Sequence, residues 1–269
     1  MSTTHKIEIG CCGWSYDDWI GPFYPAGTKP GDYLARYAER FDVVEVDSTF
    51  YRTPSRRMVE GWHARTPEHF RFSLKLPQTI THGKMLRDCD AERDEFIEVA
   101  RLLGNKLHSV CLQFGYFNKT KFANLEAFLN VLDPFLANWP DDIPVAVEIR
   151  NKYWLGEKFL GCLRQHRAAT VLVQQSWMPS PGEVLKKLDP LTGPFSYVRL
   201  LGDRQGIEKI TTTWNKIVTD KDEELHRIAS ALVELARKVP VFTFVNNHYA
   251  GFGPATAATL REFLGDGAV

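Results

Sequence analysis

The sequence predicts an α/β fold, a single (β/α)8 TIM-like barrel that forms one domain over residues 1–269. Eight segments have the alternation or the apolar run of a strand, and nearly all of them are followed by a helical segment. The length is also near the roughly 250 residues typical of such barrels. No linker or low-complexity tract divides the chain. A doubly wound open sheet is the alternative, but it leaves the last strands harder to place.

The strand that begins at Val43 is the most informative of the eight. It has valines on one face and Glu45 and Asp47 on the other, so its carboxylates have to be paired, ligated or used in chemistry. The third strand repeats this plan with Lys75 in place of the acids. The predicted strands are KIEIGCCG at 6–13, the start of VVEVDSTFYRTP at 43–54, HFRFSLKLPQ at 69–78, SVCLQFG at 109–115, IPVAVEIRN at 143–151, ATVLVQQSW at 169–177, FSYVRLLGD at 195–203 and VPVFTFVNNHY at 239–249.

Helical segments are predicted from the spacing of apolar residues and from end signals. Gly104 is the residue type that favours a helix end, and Gly253 with Pro254 is typical of a helix start. The predicted helices are 32–41, 55–65, 90–103, 121–138, a short one near 183–188, 221–238 and 253–264.

Charge and composition narrow the range of possible partners and cellular locations. Lys plus Arg and Asp plus Glu are both 33, with a pI near 7.1, so no overall field attracts nucleic acid or acidic membrane. The first residues lack an apolar signal core, and no run approaches the roughly 18 apolar residues of a membrane span. We therefore expect a cytoplasmic protein without a membrane partner. The five cysteines have no CxxC spacing, and most of them are expected to be reduced and buried.

In a barrel, the functional site lies at the carboxyl ends of the strands. Charged side chains crowded there stay ionised only if they pair with one another or with a ligand. Two interpretations follow, a binding site or an internal salt-bridge network, and the site is favoured because barrel interiors are ordinarily built from Val, Ile and Leu. The strand-end candidates are Glu45, Asp47, Lys75, Gln113, Glu148, Arg150, Gln174, Arg199, Asn246 and Asn247.

The candidate catalytic residues are Glu148, Lys75 and Asp47. Glu148 is the preferred general base, because burial beside Arg150 can tune its carboxylate, although it can instead serve only to orient that arginine. Lys75 suits an anion contact, a base or a Schiff-base amine, or alternatively a counter-ion for Glu45. Arg199 suits bidentate binding of a carboxylate or phosphate.

Two loops add further candidates for substrate binding. Trp14, Tyr16 and Tyr51 can stack on a planar ring or a sugar, although aromatic residues in barrel loops commonly pack a lid, as we expect of Trp19 and Phe23. The last loop carries His248 and a glycine-rich turn at a helix start, where backbone N–H groups favour anions. His82 and His248 are acid/base candidates. The binding candidates in these loops are Trp14, Tyr16, Tyr51, His82, Asn246, Asn247, His248 and Gly253.

Neither a metal nor a cofactor is indicated. Acids and histidines are present, but no HxH, HExxH or DxD cluster brings them together, so we expect no obligatory metal. The sequence points to no particular cofactor and gives no oligomeric state.

The chain resembles the DUF72 (YecE-like) proteins, which are bacterial and archaeal (β/α)8 barrels. The resemblance rests on IGCCGWSYDDWIGPFYP, VVEVDSTFYRTP, FSLKLPQTITH, EIRNKYW, YVRLLG and FVNNHYAGFGPATA, in the family's order over nearly the whole chain. It implies the barrel and supplies no substrate. Asp47 stands where the family more usually has asparagine, and Leu201 stands in a run that commonly carries histidine.

The first functional hypothesis is an enzyme, such as a hydrolase, lyase or isomerase, acting on a small anionic substrate. Nucleic-acid binding or phosphodiester cleavage ranks second, because the chain has no net charge. A protein that binds a metabolite without turning it over is the third hypothesis.

Overall fold

The computed structural model describes residues 4–265, within which eight parallel strands form one closed barrel in chain order. The predicted (β/α)8 fold is therefore confirmed. Both ends of the predicted domain, 1–269, extend beyond the described residues. The strands are β1 Ile7–Cys12, β2 Val43–Val46, β3 Arg71–Lys75, β4 Leu107–Gln113, β5 Val145–Glu148, β6 Ala169–Gln175, β7 Ser196–Gly202 and β8 Val241–Val245.

Helices follow the strands, and several of them begin at a side-chain cap. Ser55 accepts a hydrogen bond from the backbone of Met58 at the start of the helix Arg56–Ala64, and Asn124 caps the helix Leu125–Ala137 in the same way. Ser180 and Glu183 form a reciprocal capping box at the start of the helix Pro181–Leu185. The helices are α1 Tyr33–Ala38, α2 Arg56–Ala64, α3 Asp90–Ala100, α4 Leu125–Ala137, α5 Glu157–Gln165, α6 Pro181–Leu185, α7 Arg204–Glu208, α8 Asp222–Ala236 and α9 Gly253–Leu264.

By contact density the chain divides into two compact units. The first comprises Met1–Glu45, Leu172–Lys187 and Phe195–Val269, and the second comprises Val46–Val171 and Leu188–Pro194. In the first unit, β1 lies between β2 and β8, and β7 pairs with the other edge of β8. In the second unit, β3, β4 and β5 pair in order, and β5 continues to the start of β6.

The structure corrects the position of several predicted residues. β2 ends at Val46, so Asp47 lies in a following turn of 3-10 helix rather than on the strand. Arg150 likewise lies beyond the end of β5. Arg199 lies in the middle of β7, not at its carboxyl end. Side-chain alternation in the sequence continues past the last residue of β2 and β5, so it does not mark where these strands end.

The helix predictions are largely confirmed, with differences at the ends. The helix predicted from Lys121 begins at Leu125, because Asn124 caps it there. Gly104 lies inside a 3-10 extension of α3 with a φ of 52°, a conformation that glycine adopts readily. The prediction did not include α5 and α7.

Tyr37 of α1 links the first two strands of the first unit. Its hydroxyl accepts a hydrogen bond from the backbone N–H of Cys11 at 2.7 Å and donates one to the carbonyl of Val43 at 3.0 Å. Gly10 makes room for this contact, since a Cβ there would lie 2.0 Å from the same carbonyl oxygen. One backbone N–H of β1 and one carbonyl of β2 are thereby satisfied from the helix layer.

The expected burial of the cysteines is confirmed. All five lie within the described residues and are buried thiols without a disulfide. Across residues 4–265, no helix combines the length and the apolar character that crossing a bilayer requires.

Candidate functional site

Glu45 and Arg199 form a buried ion pair in the first unit. Their side chains are 0% and 2% exposed, and Arg199 Nη2 donates to Glu45 Oε1 at 2.6 Å. The other oxygen, Oε2, accepts a hydrogen bond from the Tyr197 hydroxyl at 2.6 Å. Both oxygens of the Glu45 carboxylate are therefore engaged, as a fully buried charge requires. This geometry is that of an internal salt bridge, which is one of the two interpretations that the sequence allows.

Asp47 and Lys75 form a second, more open pair, in the second unit. Lys75 Nζ lies 2.8 Å from Asp47 Oδ1, with side-chain exposures of 7% for the lysine and 29% for the aspartate. The Thr49 hydroxyl accepts from the backbone N–H of Lys75 and donates to the carbonyl of Val46, which ties the turn after β2 to the end of β3. The ammonium also lies 5.2 Å from the centre of the Phe50 ring.

Glu148 and Arg150 form a third pair, also in the second unit. Glu148 is fully buried at the end of β5, and Arg150, with 11% of its side chain exposed, donates to Oε1. Gln113, the last residue of β4, is the register partner of Glu148. Three successive strands, β3, β4 and β5, thus end in Lys75, Gln113 and Glu148. The contact of Glu148 with Arg150 fits the alternative in which Glu148 orients that arginine, and its role as a base stays a prediction.

His82 lies in a short π-helical turn, Thr79–Gly83, that follows β3. Its Nδ1 lies 2.8 Å from the Thr81 hydroxyl, and its ring meets the Phe50 ring edge-on at 5.2 Å. Phe50 therefore contacts both the histidine and the ammonium of Lys75. Single-turn π-helical segments are frequent at functional sites.

The pKa of His82 is lowered from its ordinary value. Partial burial is the largest cause, and the positive charges of Lys121, Lys75 and Arg150 lower it further. The Glu148 carboxylate opposes these charges only partly. The imidazole of His82 is consequently neutral at physiological pH. Its pKa depends on Lys75 and Arg150, the same cations that pair with the strand-end acids.

The aromatic residues predicted to stack on a ligand divide into packed and exposed groups. The Tyr24 hydroxyl donates to the carbonyl of Trp14 at 2.5 Å, and Tyr16 stacks on the fully buried Trp19 at 4.7 Å. The expected packing role of Trp19 is confirmed. Tyr51, in the second unit, is 66% exposed.

The last loop of the first unit is held by its own side chains. Asn246 Oδ1 accepts from the backbone N–H of His248, whose Nε2 lies 3.1 Å from Glu208 Oε1. Asn247 is 2% exposed, and its Oδ1 accepts from the backbone N–H of Gly253 at 2.8 Å. The first N–H of α9, predicted as an anion contact, is therefore already capped by a side chain.

Residues that the sequence analysis did not select complete these pairs. Tyr197 shares the face of β7 with Arg199, and the two-residue spacing was a usable signal for it. Thr49 and Phe50 lie in the turn after β2, and nothing in their spacing indicates a contact with Lys75.

The fold and these strand-end pairs define the class of this protein, a TIM barrel with ionised and amide side chains where its strands end. Within that class, the family described as "Protein of unknown function DUF72" matches residues 8–268, and the chain belongs to it.

Sequence and structure relatives agree with this assignment. The chain is 33% identical to the UPF0759 protein YunF of Bacillus subtilis over 57% of this chain and 54% of that protein. It is 31% identical to the UPF0759 protein YecE of Escherichia coli K12 over 54% of this chain and 48% of that protein, so it spans about half the length of the curated relatives it matches. A DUF72 family protein from Thermotoga maritima superposes with a TM-score of 0.77 at 26% identity, covering 97% of this chain and 99% of that one.

The buried Glu45–Arg199 pair generates a stability prediction. We expect Arg199→Met to lower the free energy of unfolding by about 3–5 kcal/mol, because it leaves the Glu45 carboxylate buried without its counter-charge. The double variant E45Q/R199M removes both charges and should recover part of the loss. Urea denaturation of the wild-type protein, E45Q, R199M and E45Q/R199M measures both effects.

The control is Arg36→Met, which removes an exposed pair with Glu39 and should change stability little. An R199M variant as stable as the control would show that the buried pair contributes nothing to the fold.

Proposed function

We propose that this protein is an enzyme that binds a small anionic substrate, bearing a phosphate or a carboxylate, at the carboxyl ends of its barrel strands. The observation that carries the proposal is the presence of two nearly buried cations, Lys75 and Arg150, with 7% and 11% of their side chains exposed. A cation that is shielded from water attracts an anion more strongly than one on the surface.

Lys75 is the cation better placed to receive a ligand. Its partner Asp47 is 29% exposed, whereas Glu148, the partner of Arg150, is fully buried. An anion can approach Asp47 and Lys75 without having to enter a fully buried ion pair. The Phe50 ring orients the ammonium of Lys75 from one side. Arg150 adds a planar fork that suits two oxygens of a phosphate or carboxylate.

An inward carboxylate is proposed to transfer a proton in the reaction. Glu148 and Asp47 are the two candidates, and Asp47 has the greater access to a ligand. His82 supports either of them, because its lowered pKa keeps the imidazole neutral and able to accept a proton. Proton abstraction next to an anionic group needs a base and a cation in fixed positions. Here the base is held at the end of a strand and the cation on the neighbouring element.

Nucleic-acid binding remains the second candidate and is supported less well. Within the aromatic loop of the first unit, Trp19 and Tyr24 are 0% and 1% exposed, so their rings are used in packing. The zero net charge of the chain also provides no long-range attraction for a polyanion.

The binding step is tested with inorganic phosphate and a panel of phosphorylated sugars, carboxylic acids and short single-stranded oligonucleotides. We expect calorimetry to detect binding of a small anion by the wild-type protein and at least about tenfold weaker binding by Lys75→Met, because a charge-assisted contact contributes about 1.5–3 kcal/mol.

Lys187→Met is the matched control, since Lys187 is exposed and lies in the first unit. For Arg150 the double variant E148Q/R150M avoids leaving a buried carboxylate unpaired. Equal affinities for wild-type, K75M and E148Q/R150M would exclude this binding site, and binding of oligonucleotides alone, weakening steeply with salt, would favour the second candidate.

Proton transfer is tested with Asp47→Asn and Glu148→Gln, using whichever panel compound binds. The variant that lacks the transferring carboxylate should lose about 100-fold or more in kcat without binding the compound more weakly than the wild-type protein. Exchange of substrate hydrogen with deuterated solvent, followed by NMR, measures the step directly. Unchanged kcat in both variants would reject an inward carboxylate, and tight binding without turnover by the wild-type protein would identify a metabolite-binding protein.

A further inference from the structure

Three metal-ligating side chains converge on the helix layer of the second unit, apart from the strand-end residues described above. Asp133 lies in α4 and Cys162 lies in α5. His166 is the residue that caps the end of α5. One ligand atom of each lies within 4.8 Å of the other two. Cys162 and His166 are four residues apart, which places them on one face of the helix.

From this geometry we propose that Asp133, Cys162 and His166 bind a zinc ion that joins α4 to α5. A thiolate, an imidazole and a carboxylate form a ligand set that zinc takes readily, usually with four ligands in a tetrahedron. The fourth position, outside the three side chains, is open to water, since Asp133 is exposed.

The two distances from Asp133 require only small movements. His166 Nε2 lies 2.8 Å from Asp133 Oδ1, and Cys162 Sγ lies 3.9 Å from the same oxygen. In a tetrahedral zinc site with ordinary bond lengths, nitrogen and oxygen lie about 3.4 Å apart and sulfur lies about 3.6 Å from oxygen. The first separation would therefore widen by about half an ångström and the second would shorten by less.

The ion pair between Lys158 and Glu126 also links α5 to α4, nearer to the start of each helix. The contacts of Asp133 with His166 and with Cys162 already hold the ligand atoms near one another before a metal arrives. A preformed group of ligands lowers the entropy that metal binding has to offset.

A nucleophilic triad is the competing interpretation of the same residues. In such a triad the histidine lies between the nucleophile and the acid, so that it can take the proton of the nucleophile. Here Asp133 lies between the other two and contacts both. The burial of Cys162 and the nearby carboxylate of Asp133 also raise the pKa of its thiol to about 11, which disfavours a reactive thiolate in the protein without metal.

Zinc binding converts the thiol of Cys162 into a thiolate ligand and releases its proton to the buffer, while His166 binds as the neutral imidazole and Asp133 as the carboxylate. Calorimetry in buffers with different heats of ionisation should therefore detect proton release together with the uptake of one zinc ion.

The test uses the full chain, stripped with a chelator and titrated with Zn²⁺ and then with Co²⁺. We expect one zinc equivalent, a thiolate-to-cobalt charge-transfer band, and a melting temperature raised by roughly 5 °C at a free zinc concentration of about a hundred times the dissociation constant. Asp133→Asn, Cys162→Ser and His166→Ala should each weaken zinc binding by about 100-fold or more, because they remove a direct ligand.

Cys89→Ser and His226→Ala are the matched controls, since they remove a buried thiol and an imidazole from other helices. Asp133→Asn and His166→Ala change less buried positions than Cys162→Ser and so remain informative if that variant folds poorly. A wild-type protein that takes up no zinc, or a cobalt band that survives Cys162→Ser, would overturn the proposal.

Discussion

The need to pair buried charge is the constraint on which the strand ends of this barrel depend. Glu45 and Arg199 satisfy it in the first unit, and Glu148 and Arg150 satisfy it in the second. A fully buried ion costs several kcal/mol unless its partner is well placed, so these pairs restrict which registers and turns are acceptable. Asp47 and Lys75 meet the same constraint less completely, because the carboxylate keeps a third of its access to water. The open pair is therefore where a ligand can compete with the protein.

A threonine hydroxyl and an aromatic ring surround this open pair and support the proposal that it belongs to a binding site. Thr49 binds the turn after β2 to the backbone of Lys75, and Phe50 contacts the ammonium and the ring of His82. Besides partial burial, the positive charges of Lys75 and Arg150 lower the pKa of this histidine. A neutral imidazole beside two shielded cations and an accessible carboxylate is a combination suited to proton transfer near an anionic group.

The strands and their order could be predicted from the sequence, because alternation and chain order are local and regular. The need for a partner at Glu45 could also be predicted, but not the identity of that partner, since Arg199 lies 154 residues away. Side-chain alternation in the sequence continues past Val46, the last residue of β2, and therefore predicts that Asp47 lies on the strand. Gly253 was expected to offer a free N–H, and only the fold reveals that Asn247 reaches it. The group of Asp133, Cys162 and His166 had one local signal, the four-residue spacing on α5, while its third member comes from another helix.

The pKa of His82, measured by NMR titration with and without saturating inorganic phosphate, tests the central claim most directly. An anion bound at Lys75 and Arg150 offsets two of the positive charges that lower the pKa of His82, so this pKa should rise when phosphate is added. The same rise should be absent in Lys75→Met. A pKa of His82 that stays the same while phosphate binds would show that the anion lies elsewhere on the protein and would contradict the proposed site.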